Sequence, residues 1–576
     1  MPSVAIDTVV MLVFSAFVLG IGMLFARTGR NLKSFFAGGE AVPWFIGGLS
    51  LFMSFFSAGT FVAWGSIAYQ HGWVAITIQW AMCVAAIITA IWLAPRWKAT
   101  GVLTAAEFVK QRLGSTVQKL YIYTFLLVSL FVKGAVLYPV AKLVSVSLGY
   151  PLGACTVVLG LFMIAYTAVG GLWAVMVTDI LQFVILTAAV VVVMPLALQA
   201  TGGTAAFLEK VPDDFFAPLN GEYTGGFIVA FMLYNTFQIG GNWAFVQRYT
   251  SVESPGAARK VALLFAGLYL ISPVIWMLPP MIYRTINPNL TGLDAENAYL
   301  LICRQVLPPG LLGLMLTGMY FSTSATANTT LNVVSAVVTN DIYKGLLNPA
   351  ASDRRLMLVA RLASWAFGLG MIGIALLVPA AGGMVNVVLT IGAITGGPLL
   401  APPVWALFSR RLSGQATLLI TLLSLGVNLG GKVLLPWASG LKLSRAEEYI
   451  VGVGLPVLLL LLHELWAARR GTVSPDYLRY SRERSAASQA ANTLLPEVAA
   501  AERRETRQQN RFGLRVIAGA LAFTSVLLFA LSAIIATGRG LVAGMAMVIL
   551  VLALIPWRTA AKLRSEAATT PKPHLA

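Results

Sequence analysis

The chain alternates long apolar runs with short polar ones. Ile6 to Phe25 and Val516 to Ile535 are two such runs, each reaching the ~20 residues that a helix needs to cross a bilayer. Counting apolar runs and their breakers predicts about fifteen spans, all helical. Several runs are interrupted by Gly, Ser and Thr: "SLFMSFFSAGTFVAWGS" (Ser50 to Ser66), "YNTFQIGGNWAF" (Tyr234 to Phe245) and "YFSTSATANTTLN" (Tyr320 to Asn332). Within a bilayer, freed backbone groups must find partners, so irregular backbone persists only where it lines a cavity or is buried in protein. Polar breaks at corresponding places in two halves of a chain point to the binding site of a carrier. Small residues that merely let helices pack closely are the competing reading of any single break.

The polar connections are strongly patterned. "ARTGRNLK" (Ala26 to Lys33), "PRWKATGVLTAAEFVKQRLGSTVQK" (Pro95 to Lys119), "QRYTSVESPGAARK" (Gln247 to Lys260), "DIYKGLLNPAASDRR" (Asp341 to Arg355) and "SRRLSG" (Ser409 to Gly414) are basic and fall at alternate turns. The positive-inside rule then expects the N-terminus outside, the C-terminus in the cytosol, and the cell (inner) membrane as the location. Arg469 to Arg511 is long, polar and without apolar periodicity, and reads as a cytosolic linker. The expected organisation is residues 1–470 as the core with one extra helix before it, 471–511 as linker, and 512–576 as a helix pair with a short tail.

Composition narrows the class further. Of 576 residues, 58% are hydrophobic and 11% charged, whereas soluble chains are roughly a quarter charged. The net charge of +18 would suggest nucleic acid in a soluble protein. Here loop lysines and arginines account for it. Cys83, Cys155 and Cys303 stand apart from one another, with no metal-ligand spacing. No nucleophile–base pair, metal cluster or phosphate loop is present, which disfavours an enzyme.

"LLVSLFVKGAVLYPVAK" (Leu126 to Lys142) holds the main anomaly, Lys133 near the middle of a span. An unpaired charge there costs about 3 kcal/mol or more on insertion scales. Three functional readings stand beside that of a plain solvated lysine: Lys133 binds a solute carboxylate, it pairs with Asp179, or it titrates and couples transport to protons.

The motifs "YTAVGGLWAVMVTDILQ" (Tyr166 to Gln182), "NWAFVQR" (Asn242 to Arg248) and "LNVVSAVVTNDIYK" (Leu331 to Lys344) resemble those of the sodium/solute symporter family, which includes sodium-coupled sugar, proline and sialic acid carriers. The resemblance covers roughly Ala26 to Arg470. It implies an all-α, polytopic membrane protein with a five-plus-five inverted-repeat core and alternating access. It also implies a main sodium site from the backbone carbonyls of Met53 and Phe56 on the first core helix. Ser322 and Thr326 on the eighth would complete it, with Ala325 standing where the family places a hydroxyl. Carbonyls and hydroxyls suit a small hard cation. Asp179 and Thr329 match a second sodium site or gate, with Asn328 in place of another hydroxyl. Thr60, Gln79, Asn235 and Gln238 match positions lining the family's solute cavity. A sialic acid carrier of the family places a cation on the third core helix, where Lys133 falls.

The combined expectation is a symporter that imports a small organic solute, a carboxylate, with Na+ as coupling ion. No organic cofactor and no nucleic-acid partner are expected. The alternatives are a proton-coupled carrier of the same fold and a solute sensor that signals through Arg469 to Arg511.

Overall fold

The computed structural model describes residues 2–25, 42–102, 104–167, 172–492, 496–535 and 538–568. Helices account for almost all of them, and no strand occurs among the described residues beyond one isolated bridge, Asn220 with Tyr223. Among the described residues, ten helices are long and apolar enough to cross a membrane, or eleven when one bent pair is counted as a single span. The first described helix, α1 (Pro2–Phe25), is also apolar along nearly its whole length. Another apolar helix begins at Leu152, and two more spans carry polar breaks or many hydroxyls.

The bent pair is α2 (Trp44–Phe55) and α3 (Thr60–His71), which meet at 59°. After it come α4 (Val74–Thr100), a short α5 (Ala105–Leu113), α6 (Ser115–Leu148), α7 (Leu152–Thr167) and α8 (Leu172–Ala200). A second interrupted span follows, α9 (Gly225–Gly241) and α10 (Trp243–Thr250), then α11 (Pro255–Ile286), α12 (Leu311–Ala336), α13 (Asp353–Leu377) and α14 (Gly383–Ala406). Each set therefore opens on a broken helix and makes five crossings. Because five is odd, the second set begins at the opposite face from the first. The two sets are inverted copies.

The basic stretches Pro95 to Lys119, Gln247 to Lys260 and Ser409 to Gly414 gather at one face, called the basic face below. Ala26 to Lys33 and residues 168–171 of the Tyr166 to Gln182 motif lie outside the described residues.

Two breaks expected from sequence are real. Phe56 is extended (φ −99°, ψ 127°) after α2, and Asn242 is extended (φ −65°, ψ 130°) between α9 and α10. The third is not. α12 runs unbroken through Tyr320 to Asn332. Its hydroxyls mostly turn back on the preceding turn of their own helix, as Thr323 does to Met319 O (2.8 Å) and Ser324 to Tyr320 O (2.9 Å). Such back-bonding lets polar side chains sit in an intact helix.

Past the core, α15 (Gly414–Ser439) and α16 (Arg445–Arg469) pack on α14. The segment after residue 470 folds in part as α17 (Pro475–Asn492), which docks on α5. Tyr480 packs on Phe108 (centroids 5.9 Å), and Asp476 accepts from the Gly414 N–H at 2.8 Å. Arg112 of α5 is fully buried there and donates to the Ser409 and Leu412 carbonyls (2.7 and 3.1 Å). Burial alone lowers its pKa, while the nearby Asp476 carboxylate acts in the opposite sense. Two long helices, α18 (Pro496–Ile534) and α19 (Arg539–Ala568), form a hairpin that leans on α1 through Phe17 and Phe523 (4.3 Å). α1 also holds α12. One carboxylate oxygen of Asp7 accepts from the N–H groups of Gly310 and Gly313 (2.7 and 2.9 Å), capping that helix's N-terminus. A Cβ on Gly313 would collide with the Asp7 backbone.

Candidate functional site

The break after α2 is where the two inverted sets meet. Ending the helix at Phe55 frees the Phe56 carbonyl, and the Ser322 hydroxyl of α12 donates to it at 2.6 Å. The Ala58 N–H donates to Thr323 Oγ1 at 3.0 Å. Thr326 Oγ1 donates to the Ser322 carbonyl at 3.1 Å, and the Met53 carbonyl accepts from the Phe56 N–H at 3.1 Å. Met53, Phe56, Ser322 and Thr326, the set that the family resemblance implies, thus lie near one another. Their carbonyl and hydroxyl oxygens are the hard donors that a sodium ion takes. The side chains of Ala325, Asn328 and Thr329 lie outside the described residues.

One turn before the break, Ser50 donates to Asp179 Oδ2 of α8 at 2.6 Å. Both residues are buried, at 0% and 2% exposed. The charge that faces Asp179 is Arg248 of α10, itself fully buried. Arg248 donates through Nη1 to Ala244 O and Gln247 Oε1, while Nε and Nη2 have no hydrogen-bond partner among the described residues. The pairing of Lys133 with Asp179 is therefore not found. A hydroxyl and a guanidinium already occupy the surroundings of that carboxylate.

A cavity of about 850 Å³, open space included, lies beside the break. Its walls come from Ser57, Thr60 and Trp64 at the break, from Phe231, Tyr234, Asn235 and Gln238 on α9, and from the first turns of α14. Met82, Val136, Tyr269 and Tyr449 close the sides. Three of the four sequence-expected uncharged residues, Thr60, Asn235 and Gln238, are present in this wall. Gln79 is not. It is 1% exposed and donates to Ala75 O within its own helix (3.3 Å).

Several lining residues carry no motif. Phe231, Tyr234, Asn235 and Gln238 do share one helical face by their i, i+3, i+4, i+7 spacing. That signal could have added Phe231 and Tyr234 to the sequence reading. Tyr449 and Tyr269 come from distant segments, and no local pattern marks them. Tyr234 and Tyr449 meet edge to face (5.4 Å, 81°). Gly396 leaves room for the Tyr234 ring, which a Cβ there would strike.

Among the described residues, no side chain lining the cavity is charged. Lys133 lies one turn from Val136 along α6, about 4.5 Å in axial rise. It is half-buried and makes neither a hydrogen bond nor an ion pair with a described residue.

Comparison with known proteins gives a consistent pattern. The model of the sodium:solute symporter family matches residues 35–423. The sodium/glucose cotransporter of Vibrio parahaemolyticus is 26% identical over 476 residues, covering 76% of this chain and 85% of that protein. The sodium-coupled monocarboxylate transporter 1 of Xenopus laevis is 26% identical over 410 residues, covering 68% of this chain and 65% of that protein. A substrate-bound, outward-open Na+-coupled sialic acid symporter superposes with a TM-score of 0.68 at 20% identity, covering 81% of this chain and 98% of the other, a likeness of fold.

Proposed function

The chain belongs to the sodium:solute symporter family, and from that premise we propose that it imports a small carboxylate-bearing solute together with Na+. Sodium would bind at the α2 break, held by the carbonyls of Met53 and Phe56 and by oxygens of Ser322 and Thr326. A cation there joins the two inverted sets, because its ligands come from both. The solute would occupy the adjacent cavity, with Thr60, Asn235 and Gln238 orienting it through neutral hydrogen bonds and the aromatic walls holding an apolar body. Asp179, with Ser50 and Arg248, would form the gate towards the basic face. The basic face is read as cytosolic by the positive-inside rule, with residues 471–511 on that side.

The observation that carries the carboxylate is Lys133. Among the described residues it is a cation without a partner, one turn from a cavity whose own lining is uncharged. A half-buried ammonium in that position is stabilised by an anion brought from outside. Among relatives, the Xenopus laevis protein is named as a monocarboxylate transporter, which agrees with that chemistry.

Uptake into reconstituted vesicles tests the proposal, using a sodium gradient and a panel of small carboxylates. Lys133→Met is expected to raise KM for the carboxylate at least about tenfold, the loss of one charged contact, and to leave the sodium dependence unchanged. Equal KM for both forms sinks the anion-binding role. Absence of uptake under any sodium or proton gradient sinks the symport reading. The unpaired ammonium equally suits a proton-coupled carrier, and full uptake in sodium-free buffer would select that reading instead.

A further inference from the structure

The cavity end away from the basic face is covered by the first turns of α14. Met384, Val385, Val388 and Leu389 all face the cavity, and a Cβ on Gly59 would collide with Met384 Cε. This segment of α14 therefore rests directly on the α2 break. What holds it there is one carboxylate. Glu296, in the 3₁₀ turn Gly292–Asn297, accepts from the Met384 N–H through Oε1 at 3.3 Å. Its other oxygen, Oε2, pairs with Lys142 Nζ of α6 at 2.9 Å. Lys142 Nζ also donates to Leu293 O in the same turn, at 2.7 Å. Gly383 allows the approach: its φ is +90°, and a Cβ there would stand 2.7 Å from Glu296 Oε1.

The arrangement joins three separate elements, α6, the loop before α12, and the N-terminus of α14. Glu296 and Lys142 are 4% and 9% exposed. A buried ion pair adds little net stability compared with well-packed apolar groups, because desolvation offsets the attraction. Its energy does depend steeply on keeping the partners in place. A negative charge at the first turn of α14 is favoured by the helix dipole, so the carboxylate holds that turn as well as the lysine.

We propose that Glu296 and Lys142 are the latch of the solute cavity. With the pair closed, the first turn of α14 covers the cavity at the face away from the basic loops. With the pair parted, the turn moves off and the cavity opens to that side. This rests on the carrier reading above, since a latch has a use only where the cavity opens in turn to two sides.

Thiol labelling tests the latch without any solute. The reporter is Ala63→Cys, in the cavity wall, on a background in which Cys83, Cys155 and Cys303 are replaced by alanine. The readout is the modification rate by a bulky, water-soluble methanethiosulfonate in detergent. Glu296→Gln and Lys142→Met are each expected to raise the rate at least about fivefold, the scale of an ordinary conformational coupling. The double variant should be no faster than the singles, because one latch is lost in either case. Lys142→Arg keeps the charge and should restore the parental rate, which separates an opened latch from a misfolded protein. Glu222→Gln breaks the more exposed Arg445–Glu222 pair (2.7 Å) and should leave the rate unchanged. Unchanged rates in Glu296→Gln and Lys142→Met overturn the latch, as does an equal increase in Glu222→Gln. Labelling that follows the latch in a protein without uptake would overturn the symport reading alone. Uptake with unresponsive labelling would overturn the latch alone.

Discussion

The two helix breaks look alike in sequence, each a polar, small-residue interruption of an apolar run, but the fold treats them differently. At the second, between α9 and α10, the freed groups are taken by an indole of the other inverted set and by side chains of α10 and of the break itself. Trp97 Nε1 donates to the Gly240 carbonyl at 2.5 Å, and the Tyr249 hydroxyl donates to the Ile239 carbonyl at 3.1 Å. Asn242 Oδ1 accepts from the Ala244 N–H at 3.1 Å. At the first, the Phe56 carbonyl is met among the described residues by an aliphatic hydroxyl, Ser322, and by no N–H side chain. An indole N–H can do nothing but donate. A hydroxyl can turn and present its lone pairs beside the carbonyl's. The second break is thus a sealed joint. The first can exchange an internal hydrogen bond for a cation.

Four substitutions would break or sharpen this contrast. Asp179→Asn has the largest expected effect, because it leaves the buried Arg248 guanidinium without its countercharge. The loss expected is about 3 kcal/mol or more, read as a lowered unfolding midpoint in detergent; an unchanged midpoint would mean the two charges are independent. Trp97→Phe comes next. It orphans the Gly240 carbonyl at the sealed break, with an expected cost of about 2 kcal/mol in stability and an unaltered sodium requirement. Ser322→Ala acts at the other break, where the expectation reverses. The sodium concentration for half-maximal uptake should rise about tenfold, ~1.4 kcal/mol, with little change in the unfolding midpoint. Asn242→Ala is the smallest, about 1 kcal/mol for a lost cap, again without a shift in sodium dependence. A sodium shift in Trp97→Phe or Asn242→Ala, or none in Ser322→Ala, would erase the distinction between the breaks.

Much of the scaffold is legible in the sequence because membrane crossing imposes a strong rule. Apolar runs must be helices of a minimum length, and the Gly, Ser and Thr clusters at Ser57 to Thr60 and at Gly240 to Asn242 mark where they stop. The Tyr320 to Asn332 cluster misleads in this respect. Hydroxyls that back-bond within a helix look the same in sequence as those that replace one. Gln79 misleads for a related reason, since the side of α4 that faces the cavity depends on packing against neighbours. The latch is the least legible part. Lys142 closes the stretch that contains Lys133, and a lysine near a helix end reads as one that snorkels to water. Its partner Glu296 is 154 positions away. Only the fold brings the two together. The docking of α17 is similar: Tyr480 and Asp476 look like ordinary members of a polar segment until Phe108 and Gly414 are placed against them.

The Asp7 cap has a consequence for how the protein is made. Its carboxylate is bound by backbone groups that lie 303 and 306 positions further along the chain. At a synthesis rate of about 5–20 residues per second, roughly 15–60 s separate the emergence of α1 from that of the helix it caps. Throughout that interval the ribosome has delivered the carboxylate but not its backbone N–H donors. α1 therefore waits, with an ionisable group unmatched, for one of the later helices to arrive. Stalled or truncated chains that end before Gly310 should present that unmatched helix to membrane quality control, and Asp7→Leu should relieve the wait at the expense of the finished joint.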